Sequence, residues 1–277
     1  MVNLKKYFSF QFLGFLIKGR SKFRVLALLI LKIKYFFNKS GITVKNEEEI
    51  FKKFTKKDTF KQYVHELYDD RILSMHWKKE SEKRKHRKHS NWSQRVFGSL
   101  SNVLVFYALI RELKPKVIVE TGTASGSMTS FILCALNKNS KGKLISIDLL
   151  PQKNKRTMNF SLKRKDIGFW IPNKYKHRWK YINADAKTKL LEICSKQKVD
   201  YFIHDSLHTA SHMLLEYSVA RRFMSKNSVI ASDDILWNNA FECFLKSQNL
   251  QGYVPINNPN LGIFLNSFDD FEMRNLT

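Results

Sequence analysis

From about residue 97 onward, apolar positions alternate between short continuous runs and longer stretches with helical spacing. The runs at 117–120, 144–148, 179–183, 200–205 and 228–232 have strand length. Between them, 100–113, 127–136 and 211–224 place apolar residues on one helical face, the first ending before Pro115. Strands alternating with helices predict an α/β class: a parallel sheet with helices on both faces. Tyr253-Val254 and Gly262-Ile263-Phe264-Leu265 flank the turn-forming Asn257-Asn258-Pro259-Asn260 and predict a closing hairpin.

The pattern before residue 97 differs. Two apolar runs, 7–17 and 25–37, flank Lys18, Arg20, Lys22 and Arg24, and Lys32 and Lys34 interrupt the second. Neither reaches the roughly 20 apolar residues of a membrane span. No small-residue cleavage site follows, so no signal peptide is expected. Two readings stay open. A basic amphipathic pair could lie on an anionic membrane surface, peripheral to the inner face of a cytoplasmic protein's membrane. Alternatively, the same faces pack on the rest of the chain or on a second copy. Residues 41–96 read as a charged helical extension, with Asn46 and Glu47, Glu48 and Glu49 suited to a helix start. The predicted organisation is therefore 1–40 apolar and basic, 41–96 helical extension, and 97–277 a catalytic domain.

Composition adds constraints. At 277 residues, with 43% hydrophobic and 13% aromatic residues, the chain can bury a sizeable core. Cys134, Cys194 and Cys243 form no C-x-x-C pair, which suggests a reducing compartment and no zinc cluster. The formal net charge of +25 favours anionic partners. Nucleic acid is disfavoured, because aromatics are sparse in the basic run from Trp77 to Lys88 and no Asn/Asp-Pro-Pro-Tyr-type amine-methylating motif occurs.

Chemistry enters at Glu120-Thr121-Gly122-Thr123-Ala124-Ser125-Gly126. The run follows a predicted strand and opens a predicted helix, a place where glycines let backbone approach a nucleotide-like ligand. The dinucleotide spacing G-x-G-x-x-G fails, because Ala124 and Ser127 stand at its second and third positions. No phosphate-loop Gly-Lys-Ser/Thr occurs. The acid-x-Gly-x-x-x-Gly pattern suits S-adenosylmethionine (SAM). Glu120 would face the cationic methionine end, with Gly122, Thr123, Ser125 and Gly126 as loop contacts. Asp148 ends the second strand and would accept from ribose hydroxyls, and Asp185 with Ala186 would reach the adenine.

These motifs, together with Phe202-Ile203-His204-Asp205-Ser206-Leu207-His208 and Ile230-Ala231-Ser232-Asp233-Asp234, resemble class I SAM-dependent methyltransferases. The resemblance is closest to the bacterial branch of sugar and small-molecule O-methyltransferases (methyltransferase family 24-like), and covers about 97–265. It implies a Rossmann-like, doubly wound, seven-stranded sheet with an antiparallel last strand. It also implies that Asp205, near the cofactor as well, joins Asp233 and Asp234 in holding a divalent cation, Mg²⁺ or Mn²⁺. The residues support this independently, because three carboxylates at neighbouring strand ends repel one another unless neutralised. A set of helix caps is the other reading. His208, at the Asp-x-x-His position, is the candidate base beside Asp205, or a structural histidine orienting it. His212 reads as packing or a surface residue, and Trp237, Asn238 and Asn239 as either acceptor lining or structure. The basic segment 152–180 carries Phe169, Trp170, Tyr175 and Trp179 and reads as an acceptor contact or a surface insertion.

The expected reaction is O-methylation of a hydroxyl on a sugar, glycan or related metabolite. Alternatives are a nucleic-acid methyltransferase or binder, and a non-methylating enzyme on the same fold. Association into an oligomer is left open.

Overall fold

A computed structural model describes residues 41–84, 100–149 and 164–266. The apolar and basic segment 1–40, with both readings left open for it, lies outside them, as do 85–88 of the basic run and 152–163 of the basic segment. No helix among the described residues is long and apolar enough to cross a membrane. Two compact units result, one of residues 41–46 and 190–266, the other of the described residues within Glu47–Lys189.

The Glu47–Lys189 unit begins with α1 (Glu47–Thr55), α2 (Phe60–Tyr68) and α3 (Arg71–Arg84). Three glutamates in the first turn of α1 complement its N-terminal dipole, as the sequence predicts. There follow α4 (Leu100–Leu113), β2 (Val117–Thr121), α5 (Ser127–Lys138), β3 (Lys143–Asp148) and β4 (Trp179–Asn183). The strands β2, β3 and β4 are parallel and in that order. Strands β2 and β3 are nearly continuous apolar runs buried on both faces, the composition a parallel sheet requires. α1 and α2 pack on α4, where Phe51 contacts Phe60 and Tyr63. Arg111 of α4 donates through Nε and Nη2 to Glu66 of α2 at 2.5 and 2.8 Å, and the Tyr107 hydroxyl donates to the same carboxylate.

In the other unit, β5 (Val199–His204), α7 (Ala210–Arg222), β6 (Met224–Ser232), α8 (Ala240–Ser247), β7 (Gly252–Pro255) and β8 (Gly262–Asn266) follow α6 (Ala186–Ser195). Parallel β5 and β6 continue into antiparallel β8 and then β7, which gives the predicted closing hairpin. One strand the sequence reading lacked, β1 (Ile42–Lys45), pairs in parallel with β7. With it the described strands number eight. The architecture is the α/β Rossmann-like class the sequence predicts, mostly parallel with antiparallel pairing at β8.

An aromatic cluster closes the core over β8. Tyr217 of α7 meets Phe241 and Phe244 of α8, and both phenylalanines meet Phe264. Gly262 makes this possible, because a Cβ there would lie 2.5 Å from Phe241 Cζ. Gly262→Ala is expected to lower stability by about 1–3 kcal/mol through overpacking, read as a fall in Tm with unchanged far-ultraviolet circular dichroism. An unchanged Tm would mean that the ring shifts freely and the cluster is not closely packed.

Candidate functional site

The glycine loop hangs between the ends of β2 and β3. Gly122 N donates to Ile147 O at 2.8 Å, and Gly126 N to Thr123 O at 2.7 Å. Gly122 and Gly126 both adopt positive φ, and Gly126 is the N-cap of α5 without a side-chain cap. Ala124 also has positive φ, 45°, a conformation that costs a Cβ-bearing residue and must be held by its surroundings. Asp148 does much of the holding. Its Oδ2 accepts from the backbone N–H of Thr123 at 2.9 Å and of Ala124 at 2.8 Å. The Tyr181 hydroxyl of β4 donates to the Asp148 carbonyl and steadies that strand end.

Glu120 is buried, 1% exposed, and its carboxyl is fully engaged. Thr129 of α5 donates to both oxygens at 3.0 and 2.9 Å, and Ser146 of β3 donates to Oε2 at 2.7 Å. Trp179 Nε1 donates in turn to the Ser146 hydroxyl. Burial pushes the Glu120 carboxyl up to about 8, with nearby Asp148 adding to the rise and the two hydroxyls opposing it.

Two further features suit a ligand. Thr123 and Ser125 are buried in the loop, and Thr123 Oγ1 has no hydrogen-bond partner among the described residues, a buried polar atom that a bound group could satisfy. Asp185 caps α6, accepting from Lys187 N at 2.9 Å, and so sets the position of Ala186, the first residue of the helix.

The other predicted residues gather at the ends of β5 and β6. Asp205 follows β5. After β6, Asp233 N donates to the His204 carbonyl at 2.9 Å, and Asp234 takes a positive φ of 51°. His208 Nε2 lies 3.6 Å from Asp234 Oδ2 and 3.9 Å from Asp205 Oδ1, so one imidazole faces two carboxylates. Asn260, in the loop before β8, donates to Asp234 Oδ1 at 2.8 Å and fixes that carboxylate. Trp237 is 37% exposed and its ring lies 5.9 Å from that of His208. Asn238 donates to the His208 carbonyl and accepts from Ala240 N, so it joins His208 to the start of α8. Among the described residues no three His, Cys, Asp or Glu side chains are gathered to hold a metal ion.

Behind His208 lies a buried polar network the sequence did not disclose. Glu216 of α7 is wholly buried and receives His204 Nδ1 at 2.6 Å, His212 Nε2 at 2.7 Å and the Ser206 hydroxyl at 2.8 Å. The His204 ring stands edge-on to His208, with centroids 5.3 Å apart. His212, read as packing or a surface residue, is thus a partner of a buried acid. Its i, i+4 spacing to Glu216 was the available signal, since both lie on one face of α7.

The Glu120 carboxyl gives a test with a definite sign. Its folded value lies above the ordinary 4.5, so the ligand-free protein binds an extra proton between those values. Its contribution to stability is complete below about pH 4.5 and is lost as the pH rises through about 8. Thermal unfolding of the ligand-free protein should therefore show Tm declining across this range, and Glu120→Gln should flatten the decline. Equal slopes for the two proteins would show that the carboxyl is not held neutral.

A methyltransferase domain model matches residues 119–235 of the chain. No curated protein matches it. Among solved structures, the fold is similar to that of a methyltransferase of Podospora anserina, PaMTH1, bound to S-adenosylhomocysteine. Sequence identity is 13%, coverage 72% of this chain and 88% of that one, and the TM-score 0.50. An O-methyltransferase of Bacillus cereus in complex with S-adenosylhomocysteine is 14% identical over 78% of this chain and 98% of its own, with TM-score 0.46. The calicheamicin methyltransferase CalS11 is 11% identical over 75% and 91%, also with TM-score 0.46.

Proposed function

We propose, from the premise that this chain carries a SAM-dependent methyltransferase domain, that it methylates a hydroxyl oxygen of a sugar, glycan or related metabolite. The observation that carries the hydroxyl is His208, whose Nε2 faces the carboxylates of Asp234 and Asp205 at 3.6 and 3.9 Å. Methylation of a hydroxyl must dispose of a proton, and an imidazole is the side chain suited to accept it near neutral pH. Two facing carboxylates stabilise the imidazolium that results.

The step balances simply. With SAM bound as the methyl donor, the acceptor O–H would lose its proton to a base, the role assigned to His208 Nε2. The oxygen would form the new bond to the methyl carbon as the carbon–sulfur bond breaks, leaving S-adenosylhomocysteine neutral at sulfur. Asp205 and Asp234 hold the base, and Asn260 holds Asp234. On the cofactor side, Gly122, Thr123, Ser125 and Gly126 form the loop. Asp148 closes it through Oδ2 and offers its other oxygen to ribose hydroxyls. Glu120 supports the loop from beneath, and Asp185 and Ala186 open the helix assigned to the adenine. Trp237, partly exposed beside His208, supports the sugar class, since an indole face stacks on the apolar face of a pyranose.

The acids offer hard oxygen donors of the kind Mg²⁺ or Mn²⁺ takes. Among the described residues, however, the three are not gathered as a cation site, and the carboxylates of Asp205 and Asp234 face His208, so no step is routed through a cation. Turnover retained in excess EDTA is the expected outcome. Loss of turnover restored by Mg²⁺ alone would give Asp205, Asp233 and Asp234 the metal role instead.

Mass spectrometry of mixtures containing SAM and a panel of nucleotide sugars, glycans and phenolic metabolites tests the acceptor class. A methyl mass shift on a sugar hydroxyl with release of S-adenosylhomocysteine is expected. Methylation confined to amines, carboxylates or nucleic acid would contradict it. With an accepted substrate, His208→Ala should lower kcat about 10²–10⁴-fold while KM for SAM changes little. An equal loss in SAM affinity would remove His208 from the role of base.

A further inference from the structure

We infer that α3, in the helical extension ahead of the matched methyltransferase segment, is a positioning element for the SAM-binding loop, acting through His76, Trp77 and Arg84. This rests on the reading of the glycine loop as the SAM site.

The connection runs in two hydrogen-bonded tiers within the Glu47–Lys189 unit. In the inner tier, the segment between β3 and β4 takes the outward carbonyls of the loop: Gly168 N donates to Ala124 O at 3.0 Å, and Trp170 N donates to Ser125 O at 3.1 Å. In the outer tier, α3 takes the carbonyls of that segment. Trp77 Nε1 donates to Trp170 O at 3.0 Å, and His76 Nε2 lies 2.9 Å from Phe169 O, where it donates. Arg84 adds an ion pair to Asp166 at 3.1 Å, and its guanidinium lies 3.6 Å from the centre of the Phe169 ring. At the ends of the segment, the Tyr175 hydroxyl donates to Asp70, the residue just before α3, and Trp179 donates to Ser146 beneath Glu120.

Packing locks the tiers together. The Trp77 ring sits 4.7 Å from Trp170 and 5.0 Å from Phe131 of α5, the helix the loop opens. Gly126 is the point of closest approach. A Cβ there would lie 2.7 Å from Gly168 Cα and 2.9 Å from Ile171 Cγ1, so the loop can carry no side chain where the segment crosses it.

These bonds fall on a loop that is costly to hold. Ala124 has positive φ, and Asp148 fixes its N–H while Gly168 fixes its carbonyl. A loop gripped through both the N–H and the carbonyl of one residue keeps its ligand-facing groups set before the cofactor arrives, and pre-organisation of that kind appears as affinity. The extension is thus part of the cofactor site without touching the cofactor.

Titration of S-adenosylhomocysteine into the full chain tests this. Trp77→Phe keeps an aromatic ring against Trp170 and Phe131 and removes the N–H together with the five-membered part of the indole. Loss of one buried hydrogen bond to the segment should weaken binding roughly three- to tenfold. Turnover at saturating SAM should fall far less than the affinity does. Arg84→Gln, at a partly exposed position, breaks the second attachment and should weaken binding in the same direction; it keeps the test decisive if Trp77→Phe folds poorly. Folded variants with a lowered Tm but wild-type affinity would reduce α3 to a structural role and overturn the inference. Failure of the wild-type chain to bind S-adenosylhomocysteine would instead overturn the reading of the loop.

Discussion

The carboxyl of Glu120 is the interaction on which the unit carrying the glycine loop depends. Placing an ionisable group at full burial is costly unless it is neutralised or well bonded. Here the cost is met by hydroxyls from two different elements, Thr129 on α5 and Ser146 on β3, and Ser146 is itself held by Trp179 on β4. One group therefore fixes the strand before the loop, the helix after it and the neighbouring strands together. The loop can then afford an unfavourable backbone at Ala124, because its two ends cannot drift. Asp148 completes the arrangement from the adjacent strand end by accepting the two amides that a strained turn would otherwise leave unpaired.

The second cluster follows a different logic. At the ends of β5 and β6 the carboxylates of Asp205 and Asp234 are partly exposed; the His208 imidazole faces both, and the Asn260 amide donates to Asp234. Asn260 positions Asp234, and Asn238 ties the backbone of His208 to the start of α8. Glu216, His204, His212 and Ser206 form a wholly or largely buried layer behind the candidate base. Glu216 binds three partners there, while His204 Nε2 has no hydrogen-bond partner among the described residues; the bond to Glu216 holds the His204 ring edge-on to His208. Such confinement suits a base that must meet a hydroxyl at a fixed point.

Much of this was legible in the sequence because it rests on local pattern. The apolar runs at 117–120, 144–148 and 179–183 coincide with β2, β3 and β4 to within a residue. The spacing of Gly122 and Gly126 behind Glu120, with Asp148 ending the next strand, marks a turn needing positive φ and close backbone approach, both of which the structure shows. What was not legible depends on long-range pairing. β1 has only four residues, with Thr43 and Lys45 among them, and becomes a strand because β7, some 210 residues later, offers it an edge. Trp77 and Trp170 stand 93 residues apart, and nothing local marks a basic amphipathic helix as a partner of the glycine loop. Glu216 lies inside a helix, where an acid ordinarily reads as a solvated face, and Asn260 reads as a turn residue before its amide is seen on Asp234.

Titration of SAM into the wild-type chain and into Asp148→Ala by isothermal calorimetry tests the proposed SAM site most directly. Asp148 both pins the loop and presents the oxygen assigned to ribose. Saturable one-site binding by the wild type, weakened by at least tenfold in the variant, is the result predicted. No binding by the wild type at millimolar SAM, or equal affinity in the two proteins, would contradict it.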